Sequence, residues 1–98
     1  MLFEWDPKKA ALNLEKHGIS FPEAMTAFED VTAAVFDDPK HSIVEERKIL
    51  VGNSRVGRML LVAFTERGSA IRIISARKPN KEEKKRHEAY QKKRQPAN

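Results

Sequence analysis

The run Ala70-Ile71-Arg72-Ile73-Ile74-Ser75-Ala76-Arg77 is the densest β-branched sequence of the chain, and it also carries two arginines and a serine. It predicts a central β-strand with chemistry on it. Isoleucines at 71, 73 and 74 break strict alternation, so the strand is expected to be covered on part of both faces. An arginine inside such a run costs desolvation unless it meets an anion. Arg72 and Arg77 therefore pair with carboxylates of the same chain, or present a planar fork to a phosphate at the sheet edge. Their separation of five is odd, so regular pleating puts them on opposite faces. Both line one cleft only if a bulge or the strand end re-aims one of them.

Upstream, Gly68-Ser69 is a tight turn, Met59 to Thr65 a long apolar strand and Asn53-Ser54-Arg55-Val56-Gly57 a hairpin loop. Arg47 to Gly52 reads as another strand, and Thr32 to Phe36 as one stopped by Asp37-Asp38-Pro39. Short connections make these consecutive strands antiparallel, since parallel neighbours require a crossover of about a dozen residues or more. The longer connection between Phe36 and Glu46, with Pro39 and His41, is either mobile or functional.

At the other end, Leu2 to Trp5 alternates weakly, as an edge strand does, and Asp6-Pro7 is a cap followed by proline at the first helical position. That helix runs to Lys16 or His17, where Gly18 supplies a left-handed C-cap. Ala10, Ala11 and Leu14 form its apolar stripe, while Lys9, Asn13, Lys16 and His17 form a polar one that by itself reads as an ordinary solvent face ahead of a functional one. Ser20-Phe21-Pro22-Glu23 opens a second helix through a capping box, with Ala24, Ala27 and Phe28 on one side. After Lys78-Pro79, Asn80 and Glu83 form a further capping box, and residues 81–93 make a basic helix that only Ala89 and Tyr90 can dock. The expected fold is a single α+β domain over 1–98 in the order β-α-α-β-β-β-β-α. A small antiparallel sheet of four to five strands has two N-terminal helices on one face and a peripheral C-terminal helix, with residues 94–98 disordered.

Ninety-eight residues support one modest core. There is no cysteine, which excludes disulfides, thiolate metal sites and a thiol nucleophile. The first residues are too few and too acidic for a signal peptide, and no apolar run reaches the ~18 residues of a membrane span, so a cytoplasmic protein without membrane contact is expected. The net charge is +5, and from Lys78 to Arg94 eight Lys/Arg face three Glu, so this segment carries the whole excess. Such a balance points to nucleic acid or an acidic partner.

The three histidines, at 17, 41 and 87, have no short ligand spacing, so no metal and no cofactor is expected. There is no phosphate-binding glycine loop and no nucleophile elbow, which removes nucleotide hydrolases and acyl-transfer enzymes. Cations, a few histidines and one tyrosine remain. They suit RNA cleavage in which the substrate's own 2′-hydroxyl attacks, leaving the protein to position it, move protons and stabilise the phosphorane.

Phe3-Glu4-Trp5-Asp6, then Lys9, Asn13 and Lys16-His17-Gly18, then Phe21 and Ala24, Glu46-Arg47 before Gly52, and Ile71 to Arg77 together resemble the BrnT toxins of type II toxin-antitoxin systems. The chain departs from that pattern at Pro79-Asn80, which replace a small-residue linker. The resemblance implies a RelE-like ribonuclease fold and cleavage of RNA to arrest translation. It also implies neutralisation by a BrnA-like antitoxin, which alone contacts operator DNA.

The same resemblance turns the polar stripe toward function and groups Lys9, Lys16, His17, Arg72 and Arg77 as catalytic. Glu46 joins them as general base or as the salt-bridge partner of an arginine. Asn13, Arg47, Ser75 and Tyr90 are the expected substrate-binding residues; for Ser75 the competing role is a core hydroxyl, for Tyr90 helix docking. Asp6 reads as a cap and Trp5 as core. The rival reading, from another class, is a basic RNA- or protein-binding module without catalysis.

Overall fold

Capping and turn residues set most of the element boundaries. A computed structural model describes residues 1–94. Its order is β1 (Leu2–Glu4), α1 (Pro7–His17), α2 (Phe21–Ala27), β2 (Ala34–Asp37), a 3-10 turn (Pro39–His41), β3 (Lys48–Asn53), β4 (Met59–Arg67), β5 (Ala70–Arg77) and α3 (Lys81–Arg94). The Asp6 carboxylate accepts from the Lys8 N–H at 2.8 Å. Gly18, at φ 70°, ends α1 with its N–H on the Leu14 carbonyl at 2.8 Å. At the start of α3 both capping-box bonds form, Glu83 N–H to Asn80 at 2.9 Å and Asn80 N–H to Glu83 at 2.8 Å. The expected disorder of 94–98 is met at Arg94 by helix, and 95–98 lie outside the described residues.

The five strands lie in the order β1-β5-β4-β3-β2. β2 to β5 form the antiparallel meander, but β1 pairs with β5 in parallel, so the sheet is mixed and not antiparallel throughout. Connection length governs only consecutive strands; β1 meets its partner from the far end of the chain, so the short-loop argument never applied to it. β2 starts at Ala34, two residues later than expected, because Thr32 is held in a turn by Asp30 at 2.9 Å.

Ile19, Phe21, Ala24 and Ala27 pack on Leu50, Leu60, Val62, Phe64, Ile73 and Ala76 to form the core. Trp5 stacks edge-on to Phe21 at 5.9 Å. The expected apolar stripe of α1 is buried only in part: Ala10 packs on the core, but Ala11 is exposed and Leu14 is 52% exposed. The buried residue of this helix is Asn13. β1 pairs with β5 only as far as Arg72, so the remaining edge of β5 lies open, and α1 covers it. The Asn13 amide donates to the carbonyls of Ala76 and Ile19, both at 2.9 Å, and its oxygen accepts from the Ala76 N–H at 3.0 Å. A side chain here completes the ladder that an edge strand would otherwise make.

Helix α3 docks by its polar side as well as by Tyr90. Ala89 is exposed, contrary to expectation, whereas His87 is buried with Nε2 3.0 Å from the Thr32 carbonyl, which Gln91 also reaches. Tyr90 packs edge-on to Phe36 at 5.9 Å and Arg86 lies over the same ring. No helix of the described residues is long and apolar enough to cross a membrane.

Candidate active site

β5 carries a bulge at Ile74. Ala63 of β4 pairs with Ser75 but Phe64 pairs with Ile73, so Ile74 is the extra residue. Arg72 then faces Thr65 and Arg77 faces Leu61, positions four apart on β4. Arg72, Ser75 and Arg77 therefore share one face of the sheet, while Ile73 and Ala76 stay in the core on the other. The odd separation in sequence becomes an even one in register.

On that face, Ile49, Leu61 and Ala63 floor a cleft of about 230 Å³, and Arg47, Ser75, Arg77, Asp38 and His41 form its polar wall. A shallower depression of about 210 Å³ on the α1 side is lined by Lys9, Leu12, Asn13, Lys16, His17, Ile74 and Ser75. Ser75 belongs to both, so the two meet at β5.

The site residues expected from sequence divide accordingly. Arg47, Ser75 and Arg77 come together in the cleft, and Lys9, Lys16 and His17 in the adjoining depression. Arg77 is gripped by Glu83 of α3 through two bonds of 2.8 Å. That guanidinium holds the Glu83 carboxyl below the usual carboxylate range, with the Asn80 N–H adding to the effect against the cost of burial. Arg72 is held more loosely, 3.8 Å from Glu4. Glu46 lies apart, lining a small recess with Glu45, Lys48, Thr65 and Glu66, and forms no ion pair among the described residues. Asn13 is spent on backbone groups, and Tyr90 packs on Phe36.

Two cleft residues were not among the expected site residues, Asp38 and His41, although the connection that carries His41 read as either mobile or functional. The available signal was their separation of three on a tight turn, which places side chains on one side. His41 Nδ1 stands 3.1 and 3.0 Å from the two Asp38 oxygens. Among the described residues no group of three or more His, Cys, Asp or Glu side chains is arranged to hold a metal ion.

A small mixed-sheet α+β domain with a cationic cleft on the sheet face opposite its core has the properties of a protein that handles a polyanion. Residues 5–83 match the family described as the ribonuclease toxin BrnT of type II toxin-antitoxin systems. The chain also resembles the crystal structure of the Brucella abortus ribonuclease toxin BrnT, with a TM-score of 0.64 and 26% identity over 83% of this chain and 100% of that one. No curated protein matches. The chain belongs to the BrnT family of ribonuclease toxins of type II toxin-antitoxin systems.

Proposed function

We propose that this chain is a metal-independent RNA endonuclease that arrests translation, with a RelE-like mode of action, and that its cleft on the sheet face opposite the core is where RNA is cut. The bulge carries the reading: β5 lies next to the β1 edge and β4, not β5, is the middle strand, yet by spending one unpaired residue in β5 the bulge gathers Arg72, Ser75 and Arg77 on one face. A bulge interrupts ladder bonds and is a device for re-aiming side chains beside sites. Arg77 and Arg47 then supply planar donors to a scissile phosphate and its transition-state charge, with Arg72 further along the same face. Lys9, Lys16 and His17 guide the neighbouring nucleotides across β5, and Ser75 lies at the junction. Glu46, outside the cleft, serves the local charge balance around Lys48. The protein acts as a single cytoplasmic domain and is neutralised by a BrnA-like antitoxin, through which alone it meets operator DNA.

The Arg77–Glu83 pair favours the rival reading, a binding module whose arginine serves structure, because a phosphate must displace Glu83. Incubation of the purified protein with RNA in excess EDTA separates the two. Cleavage is expected; binding without cleavage would favour the rival, and cleavage restored only by added Mg²⁺ would refute metal independence.

A further inference from the structure

The chain contains Asp-Pro twice, and the two copies behave differently. At Asp6-Pro7 the carboxylate caps the helix that follows. At Asp38-Pro39 a short 3-10 turn follows, yet the Asp38 side chain makes no cap bond to it. Both its oxygens instead turn to the imidazole of His41. The loop that carries the pair is tied at its base. The Asp38 N–H donates to the Arg47 carbonyl at 3.0 Å, and the Ser42 hydroxyl bridges the Asp38 carbonyl at 2.7 Å and the Arg47 N–H at 2.9 Å. The Asp38 side chain is 14% exposed while that of His41 is 63% exposed, so a sheltered carboxylate holds an accessible ring. With Nδ1 engaged, Nε2 has no partner among the described residues, and the ring lines the cleft with Ser75, Arg47 and Arg77.

We propose that His41 is the catalytic base of the RNA cleavage, with Asp38 as its positioning residue; this rests on the nuclease reading above and adds the proton-transfer group that the reading lacks. The Asp38 carboxylate accepts the Nδ1–H, which fixes the neutral tautomer with a lone pair on Nε2. Nε2 takes the proton of the ribose 2′-hydroxyl as that oxygen bonds to the adjacent phosphorus. The phosphorus–O5′ bond breaks, the departing O5′ takes a proton from water, and a 2′,3′-cyclic phosphate and a 5′-hydroxyl result. The imidazolium returns its proton to solvent. The charged or titratable groups facing the ring are Asp38, Arg47 and Arg77 in the cleft, with Lys40 and Glu45 beside it on the loop. Two guanidiniums there stabilise the phosphorane while the base works.

The test uses the full chain, a fluorescent RNA substrate and a 2′-O-methyl RNA that binds but cannot react. His41→Ala is expected to lower kcat about 10²- to 10⁴-fold, the usual worth of a positioned base. It should leave affinity for the 2′-O-methyl RNA within about twofold, since no phosphate contact is assigned to the ring. It should also abolish the limb on which kcat/KM rises with pH. Asp38→Asn is expected to lower kcat about 10- to 100-fold with KM unchanged, as for lost orienting partners generally. Wild-type kcat in His41→Ala, or a fall in kcat with the rising limb intact, would overturn the assignment while leaving the nuclease reading standing. A wild-type protein that binds RNA and cuts none would remove both.

Discussion

Replacing Asn13 by alanine is expected to unfold the edge of β5 that α1 covers. The carboxamide makes its three bonds at 2.9, 2.9 and 3.0 Å, and its side chain is buried. Without it the Ala76 N–H and carbonyl and the Ile19 carbonyl lose their partners in a region sealed by α1. An orphaned buried polar group costs about 1–3 kcal/mol, and because the three share one site, the sum is expected at about 2–4 kcal/mol rather than the full total. For a domain of this size about 1 kcal/mol moves the melting temperature by roughly 4–8 °C, which makes the expected fall roughly 10–25 °C. Asn13→Asp should be worse still near neutral pH, because a carboxylate cannot donate to the two carbonyls. Calorimetric melts of the three proteins check this. A variant that melts within about 2 °C of wild type, well below the cost of even one orphaned group, would refute the edge-completing role. If that variant had also lost RNA cleavage, Asn13 would be a substrate ligand after all.

Gly52→Ala tests the packing between β3 and the residues that lead into β2. A Cβ there meets the Ala33 Cβ at 2.8 Å and the Ala27 carbonyl at 3.2 Å, so urea denaturation is expected to show a loss of about 1–3 kcal/mol, as for overpacking generally. A neutral result would mean that the strand shifts freely at this point. Glu23 accepts bonds from Arg58 at 2.6 and 2.8 Å and from Ser54 at 2.8 Å, and Arg58, ahead of the opposing cost of burial, holds its carboxyl below the ordinary 4.5. A depressed carboxyl contributes stability that is present above its unfolded value and is lost as pH falls through the folded one. Stability should therefore fall as pH drops below about 4.5, and Glu23→Gln should flatten part of that fall; an unchanged acid limb in the variant would refute the clamp.

What the sequence made legible were features with a local cause. Asp6-Pro7, Gly18, Asn80 with Glu83, and the glycine turns each set a boundary through their own backbone chemistry. The run 70–77 announced itself as a strand by its β-branched density. Features set by distant partners stayed hidden. Nothing near Leu2 encodes that it pairs in parallel with Ala70, and nothing in α1 says that the open edge of β5 selects Asn13 rather than Leu14 for burial. Ala89 lost its place to His87 because the Thr32 carbonyl, far away in sequence, offered an acceptor. The same holds for the site. Two arginines five residues apart share a face only through a bulge or the strand end, and it is the pairing with β4 that places that bulge at Ile74. Asp38 read as a turn residue, and only the tertiary placement of its loop over β5 brings it and His41 beside Arg77.

Binding of RNA on the sheet face opposite the core, at β5, is tested most directly by a chemical-shift map of the isotopically labelled protein titrated with 2′-O-methyl RNA. Large shifts are expected at Arg47, Ser75, Arg77 and His41, extending to Lys9, Lys16 and His17 across the bulge, with loosening of the Arg77–Glu83 pair as phosphate takes the place of Glu83. Shifts confined to the basic side chains of α3, with the cleft residues unmoved at saturation, would contradict it.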